Sequence, residues 1–138
     1  MKNLKKISLL LLMIGILLSC NERNEENLIQ SVERVKIDSV KIAQDSMDVF
    51  TTQTIKTYSD FQSKCEGFYG YDYLHIDEFS RSVSSFKFKT EGECGEDVAR
   101  ASQINFRPQS PGKYVFKFWN GKNAAGENIW IQKTIVVE

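Results

Sequence analysis

The sequence predicts an all-β protein folded as a single sandwich of about seven strands, and three observations carry that prediction. From about residue 32 onward, β-branched and aromatic residues alternate with polar ones in period two, which marks strands with one face buried. Clusters of Gly, Pro, Asn and Asp break the alternation at spacings of about ten residues, as in sandwiches of short strands. Both prolines, Pro108 and Pro111, sit together before the last hairpin, so no proline-rich linker divides the chain and residues 32–138 read as one domain.

Taken in order, residues 32–42 form a first strand, and residues 55–65 fit either a strand or a short helix. Gly67-Phe68-Tyr69-Gly70 supplies a turn before a strand at 71–76. Phe86-Lys87-Phe88-Lys89 and Ile104-Asn105-Phe106-Arg107 are strands with one face inward, separated by the loop Gly92-Glu93-Cys94-Gly95. Residues 108–112 turn the chain into a strand at 114–119, Asn120-Gly121 supplies the next turn, and residues 129–137 form the terminal strand.

The last two strands allow a sharper inference. If Trp119 pairs with Trp130 in an antiparallel hairpin, Lys117 faces Gln132 and Val115 faces Thr134, so these six side chains share one face. Tyr114, Phe118, Ile131 and Ile135 share the other, where Lys133 would point inward opposite Phe116 and suggests a bulge or a different register. Trp119, Trp130, Lys117 and Gln132 are thereby the candidate ligand-binding residues, since an exposed aromatic pair among polar neighbours can stack on a sugar ring or anchor a protein. The alternative is that a loop, or the segment 21–31, covers the tryptophans.

Ahead of this domain stands a leader. Lys2, Lys5 and Lys6 precede an apolar run over residues 7–18, which is short for a membrane span of about 20 residues and fits the core of an export signal. It ends Leu17-Leu18-Ser19-Cys20, which resembles the lipobox of bacterial lipoproteins. The resemblance implies cleavage after Ser19, a diacylglycerol thioether on Cys20 and acylation of the new amino terminus. Each buried methylene contributes about 0.8 kcal/mol, so several acyl chains together hold a protein on a bilayer. Residues 1–19 are then the signal peptide and 20–31 a lipidated, charged tether. Asn21, where an Asp would direct retention in the inner membrane, points to the outer membrane of the cell envelope, with the face undetermined.

With Cys20 assigned to lipid, Cys65 and Cys94 remain as a pair in an oxidising compartment, and a disulfide is expected; two buried free thiols are the alternative. The 18 basic and 18 acidic residues balance, but Lys2, Lys5 and Lys6 leave with the leader, so the mature part is mildly acidic. That disfavours nucleic acid as a partner.

At Ser110-Pro111-Gly112-Lys113-Tyr114-Val115-Phe116 the chain resembles the end of immunoglobulin-like and fibronectin-type-III-like sandwiches. The resemblance covers about the last 30 residues and implies that Tyr114 is a structural tyrosine corner, its hydroxyl bonded back to the preceding backbone. Phe116 stands where the antibody pattern has a Cys, so the Cys65–Cys94 pair is not that family's bridge.

No catalytic constellation is legible. The sequence has no Gly-x-Ser-x-Gly elbow and no glycine-rich phosphate loop, and its one histidine, His75, lies near Asp77 without a third ligand, so neither an enzyme, a metal nor a cofactor is expected. The functional expectation is a non-catalytic binding or scaffolding module, anchored to the membrane by lipid, that contacts a glycan, a peptide or an envelope protein. The alternative is an inhibitor or immunity-type lipoprotein that blocks an enzyme at the envelope. Oligomeric state is not legible.

Overall fold

The computed structural model describes residues 28–92 and 94–138. The leader, Cys20 and most of the tether lie outside them. The described chain is an all-β sandwich of nine strands: β1 (Ile29–Val35), β2 (Ser39–Ile42), β3 (Ser46–Met47), β4 (Gln53–Phe61), β5 (Glu66–His75), β6 (Ser80–Thr90), β7 (Val98–Phe106), β8 (Gly112–Lys122) and β9 (Asn128–Val137). The larger sheet runs β1-β6-β8-β9-β3 with β5 along the other side of β6, and the smaller runs β2-β4-β7. Two neighbouring pairs, β6 with β8 and β3 with β9, are parallel.

The segment 32–42 is two strands, because the chain changes sheets in the middle. β1 ends at Val35, paired with Ser85, and β2 begins at Ser39, paired with Tyr58 in the other sheet. The crossing is satisfied on both sides: the Ile37 N–H donates to Trp119 O at 2.9 Å, and the Asp38 N–H donates to Tyr58 O at 2.8 Å. The Asn120 amide donates to Ile37 O at 2.7 Å. Both backbone groups of Ile37 thus find partners across the sheet change, and its side chain between the layers is fully buried. Residues 55–65 resolve in favour of a strand. β4 pairs along its whole length with β7, and period-two burial of Gln53, Ile55, Thr57, Ser59 and Phe61 turns its apolar and small residues inward.

The interior has two halves. Beneath β8 and β9 lies an apolar cluster of Ile37, Val40, Ile55, Val83, Phe106, Tyr114, Phe116, Phe118, Ile135 and Val137. Phe106 meets Phe116 edge-on with centroids 5.0 Å apart. Burial of each such side chain contributes about 1.5–3 kcal/mol, so this half is the main source of stability. Beneath β5 and β6 the interior is more polar, with Thr57, Ser59, Glu66, Arg81, Ser85 and Lys87 buried along with Phe61 and Val83.

Four local expectations are corrected. Gly67-Phe68-Tyr69-Gly70 is not a turn but part of β5, with a register shift between Phe68 and Gly70. Gly67 is there because the Phe88 ring lies over it, where an added Cβ would come within 2.4 Å. Asn120-Gly121 is not the hairpin turn either. It falls in an irregularity of β8 between Trp119 and Lys122, with Gly121 at φ +97°, and the chain reverses at Asn123 to Gly126. Lys133 pairs with Phe116 in unbroken register, partly buried, so its inward position needs no slip. In β6 the alternation is present but the faces are exchanged: Lys87 is buried, whereas Phe86 and Phe88 lie on the outer face beside Arg34 and Val32 of β1. The ion pair of Lys87 with Glu66 makes that exchange tolerable.

Candidate functional site

Two surfaces bring together residues able to bind a ligand. The first is the outer face of the β8–β9 hairpin. Trp119 pairs with Trp130, Lys117 with Gln132, and Val115 with Thr134, so the four candidate residues share one face. The hairpin alone does not make the site, because β1 contributes Arg34. Its guanidinium lies 4.0 Å from the centroid of Trp119 and 5.9 Å from that of Trp130, and hydrogen-bonds the Ser84 hydroxyl. Burial against the rings lowers the Arg34 pKa, opposed by the charge of Asp72. The Trp119 indole N–H donates to Asn128 Oδ1 at 2.9 Å. One indole is therefore capped by a cation and half-buried, while Trp130 stays 36% exposed with Lys117 and Gln132 beside it.

The second is a cleft of about 660 Å³ between β5 of the larger sheet and β7 of the smaller. It opens beside the apolar cluster, to which its wall residues Phe106 and Tyr114 belong and against which Tyr71, Tyr73 and Ile104 pack. Tyr71, Tyr73 and His75 line it from β5, Arg81 from β6, Gln103 to Phe106 from β7, and Tyr114 from β8. Tyr71 bridges the sheets, its hydroxyl 2.6 Å from that of Thr57. Burial pushes the phenols of Tyr71 and Tyr73 up, opposed at Tyr71 by Thr57 and Ser102 and at Tyr73 by the adjacent Arg81 guanidinium, so both remain neutral hydrogen-bonding groups at ordinary pH. None of these wall residues is a sequence-predicted ligand-binding residue; the available signal is Arg81, which shares the inward period of Val83, Ser85 and Lys87.

The remaining sequence-predicted residues are dispersed. Cys65 and Cys94 form a disulfide with Cα atoms 5.2 Å apart, tying the start of β5 to the connection that carries the chain from β6 to β7. The Tyr114 hydroxyl donates to Ser110 O at 3.0 Å, across the turn that precedes its strand. His75 lies at the end of β5, exposed, with Tyr73 edge-on at 5.5 Å. Asp77 is occupied by the turn into β6: its Oδ1 accepts the N–H groups of Phe79 and Ser80, and hydrogen bonds from Ser80 and Phe79 hold its carboxyl below the usual range. Cys20 lies outside the described residues. Among the described residues no group of three or more His, Cys, Asp or Glu side chains could hold a metal ion, and no helix is long and apolar enough to cross a membrane.

Comparison of the chain with protein-family models, with characterised proteins and with solved structures finds no match.

Proposed function

We propose that this chain is a non-catalytic binding module of the bacterial cell envelope, held on the membrane, most simply the outer one, through lipid on Cys20, and that it contacts an envelope glycan, peptide or protein through the outer face of β8 and β9. The observation that carries the reading is the arrangement of Trp130, Lys117 and Gln132 around the Arg34–Trp119 stack. A cation stacked on one indole fixes that ring, leaving the second as a pre-ordered aromatic platform with polar groups at its edge. Pre-ordering reduces the entropy lost on binding. The tyrosine-corner bond of Tyr114 supports kinship with immunoglobulin-like sandwiches, although the parallel β6–β8 pair departs from their antiparallel sheets.

The test has two parts. The full chain, produced with its leader in a bacterial host, is expected to fractionate with membranes and to yield a mass equal to residues 20–138 plus acyl chains, whereas the Cys20→Ser variant should not be acylated. An unmodified full-length mass overturns the anchor. Chemical crosslinking in intact envelopes should then recover a partner whose yield falls at least fivefold with Trp130→Ala. Recovery unchanged by that substitution overturns the aromatic face. A tight one-to-one complex with an envelope enzyme, inhibited on binding, would move the protein to the inhibitor class, for which a disulfide-stapled domain is also suited.

A further inference from the structure

We propose that the cleft between β5 and β7 is a second binding site, specific for a sugar ring that carries a carboxylate, with Arg81 as the residue that pairs the anion. Arg81 is 7% exposed, yet it forms no ion pair among the described residues. Its Nη1 donates to two backbone carbonyls, Asp77 O at 2.9 Å and Ser80 O at 3.1 Å, and its buried Nε has no partner. The Tyr114 ring, 5.4 Å away, the adjacent Tyr73 hydroxyl and the more distant charge of Asp77 are its other stabilising contacts. Of the nearby acids, Asp77 has its carboxylate turned to the N–H groups of Phe79 and Ser80, and Glu78 lines the cleft without approaching the guanidinium to ion-pair distance. Buried charges are normally paired, and removing a guanidinium from water without a counter-ion is costly. A ligand anion in the cleft would supply the missing partner, and a carboxylate matches the planar fork of Arg.

The walls describe the rest of that ligand. Tyr71, Tyr73 and Phe106 offer aromatic surface, and Gln109 adds a carboxamide at the rim, whereas the side chains of Gln103 and Asn105 alternate to the outer face of β7. Aromatic surface with phenol hydroxyls and a carboxamide at its rim suits a ring bearing several hydroxyls, and the volume is that of an ordinary small-molecule site. The inference goes beyond the aromatic face of β8 and β9 and does not depend on it.

The experiment is titration of the full chain in detergent with D-glucuronate and D-galacturonate, read by calorimetry and saturation-transfer NMR, with D-glucose, acetate and inorganic phosphate as separate arms. At least one uronate is expected to saturate, with glucose, acetate and phosphate each at least tenfold weaker. Arg81→Gln should abolish uronate binding, Tyr73→Phe and Gln109→Ala should each weaken it severalfold, and Trp130→Ala should leave it unchanged. Because Arg81→Gln removes a buried group, its fold is checked by circular dichroism. Should it fail to fold, Tyr73→Phe and the exposed Gln109→Ala decide. Absence of saturable uronate binding, equal binding of glucose or phosphate, or uronate binding lost with Trp130→Ala but retained by the folded cleft variants would overturn the proposal. The last outcome would place the sugar on the aromatic face instead.

Discussion

Lys87 Nζ donates to Glu66 Oε1 at 2.8 Å inside the sandwich, with both residues less than a tenth exposed. The second carboxylate oxygen of Glu66 accepts the Gln62 N–H at 2.8 Å, and Glu33 approaches the ammonium at 3.9 Å. The pair holds the polar half of the interior together across β5 and β6. Removing one partner leaves an uncompensated buried charge, which typically costs about 3–5 kcal/mol, whereas replacing both by apolar groups is often neutral. Lys87→Met is therefore expected to destabilise by about that amount in urea denaturation, and Glu66→Leu with Lys87→Met to recover most of it. A single-variant loss below about 1 kcal/mol would show the pair to be water-screened, as exposed pairs are.

The same pair predicts a pH dependence. Burial alone pushes the Glu66 carboxyl up, but the hydrogen bonds from Lys87 and the Gln62 N–H, with the charges of Lys87 and Lys89, hold it below its ordinary value. A carboxyl whose pKa is lower folded than unfolded binds fewer protons in the native state. Its stabilisation is complete above the unfolded value of about 4.3 and is lost as the pH falls through the folded value. The thermal midpoint should thus drop on acidification below about pH 4, and drop less steeply in the double variant. Parallel pH curves for the two proteins would remove Glu66 from the acid response.

How much of this was legible depends on whether the deciding interaction was local. The hairpin register of Trp119 with Trp130 follows from period two and a single assumed pair, because both strands are close in sequence. The sheet change after Ile37 leaves one mark in the sequence, a slip of the apolar period from Val35 and Ile37 to Val40 and Ile42, but that slip does not name the partners Trp119 and Tyr58. Phe86 and Phe88 mislead for a related reason. Two aromatics in period two read as core, but the larger sheet buries Lys87 against Glu66, 21 residues away, and leaves both rings on the outer face beside β1, with Phe88 over Gly67. Arg34 completes the aromatic face from a strand far away in sequence, so the tryptophan pair was readable and its cap was not.

The disulfide makes a separate prediction. Cys65 and Cys94 are 29 residues apart, and cross-linking a loop of that size contributes about 3–4 kcal/mol in the chain-entropy model. Reduction should lower the denaturation midpoint accordingly, and Cys65→Ala with Cys94→Ala should match the reduced wild type within about 0.5 kcal/mol. A reduced protein as stable as the oxidised one would mean that the loop is restrained by the sheets alone.

Phe50 is the one non-glycine residue with positive φ among the described residues, at 63°, and its side chain is 59% exposed. Its backbone is pinned on both sides: the N–H donates to Pro108 O at 2.8 Å and its carbonyl accepts from Arg107 Nε at 2.9 Å. A left-handed conformation costs an ordinary residue about 1–2 kcal/mol and glycine little, while an exposed ring has little packing to lose. Part of that gain is offset by the greater freedom of glycine in the unfolded chain. Phe50→Gly should raise stability by about 0.5–1 kcal/mol, read from thermal melts. A loss would mean that the Phe50 ring makes packing contacts that its exposure conceals.

Trp119 and Trp130 occupy one cross-strand pair yet should respond differently to truncation. Trp119 is half-buried, bonded to Asn128 and capped by Arg34 at 4.0 Å, so Trp119→Ala removes packing, a hydrogen bond and a cation–π contact at once, for about 2–3 kcal/mol. Trp130 is more exposed and its centroid lies 5.9 Å from the same guanidinium, so Trp130→Ala should cost under about 1 kcal/mol. A double-mutant cycle of Arg34→Ala with Trp119→Ala should return a coupling of about 0.5–1 kcal/mol, and the same cycle with Trp130→Ala a smaller one. Equal losses at the two tryptophans would make both of them structural and leave the hairpin face without a free aromatic platform.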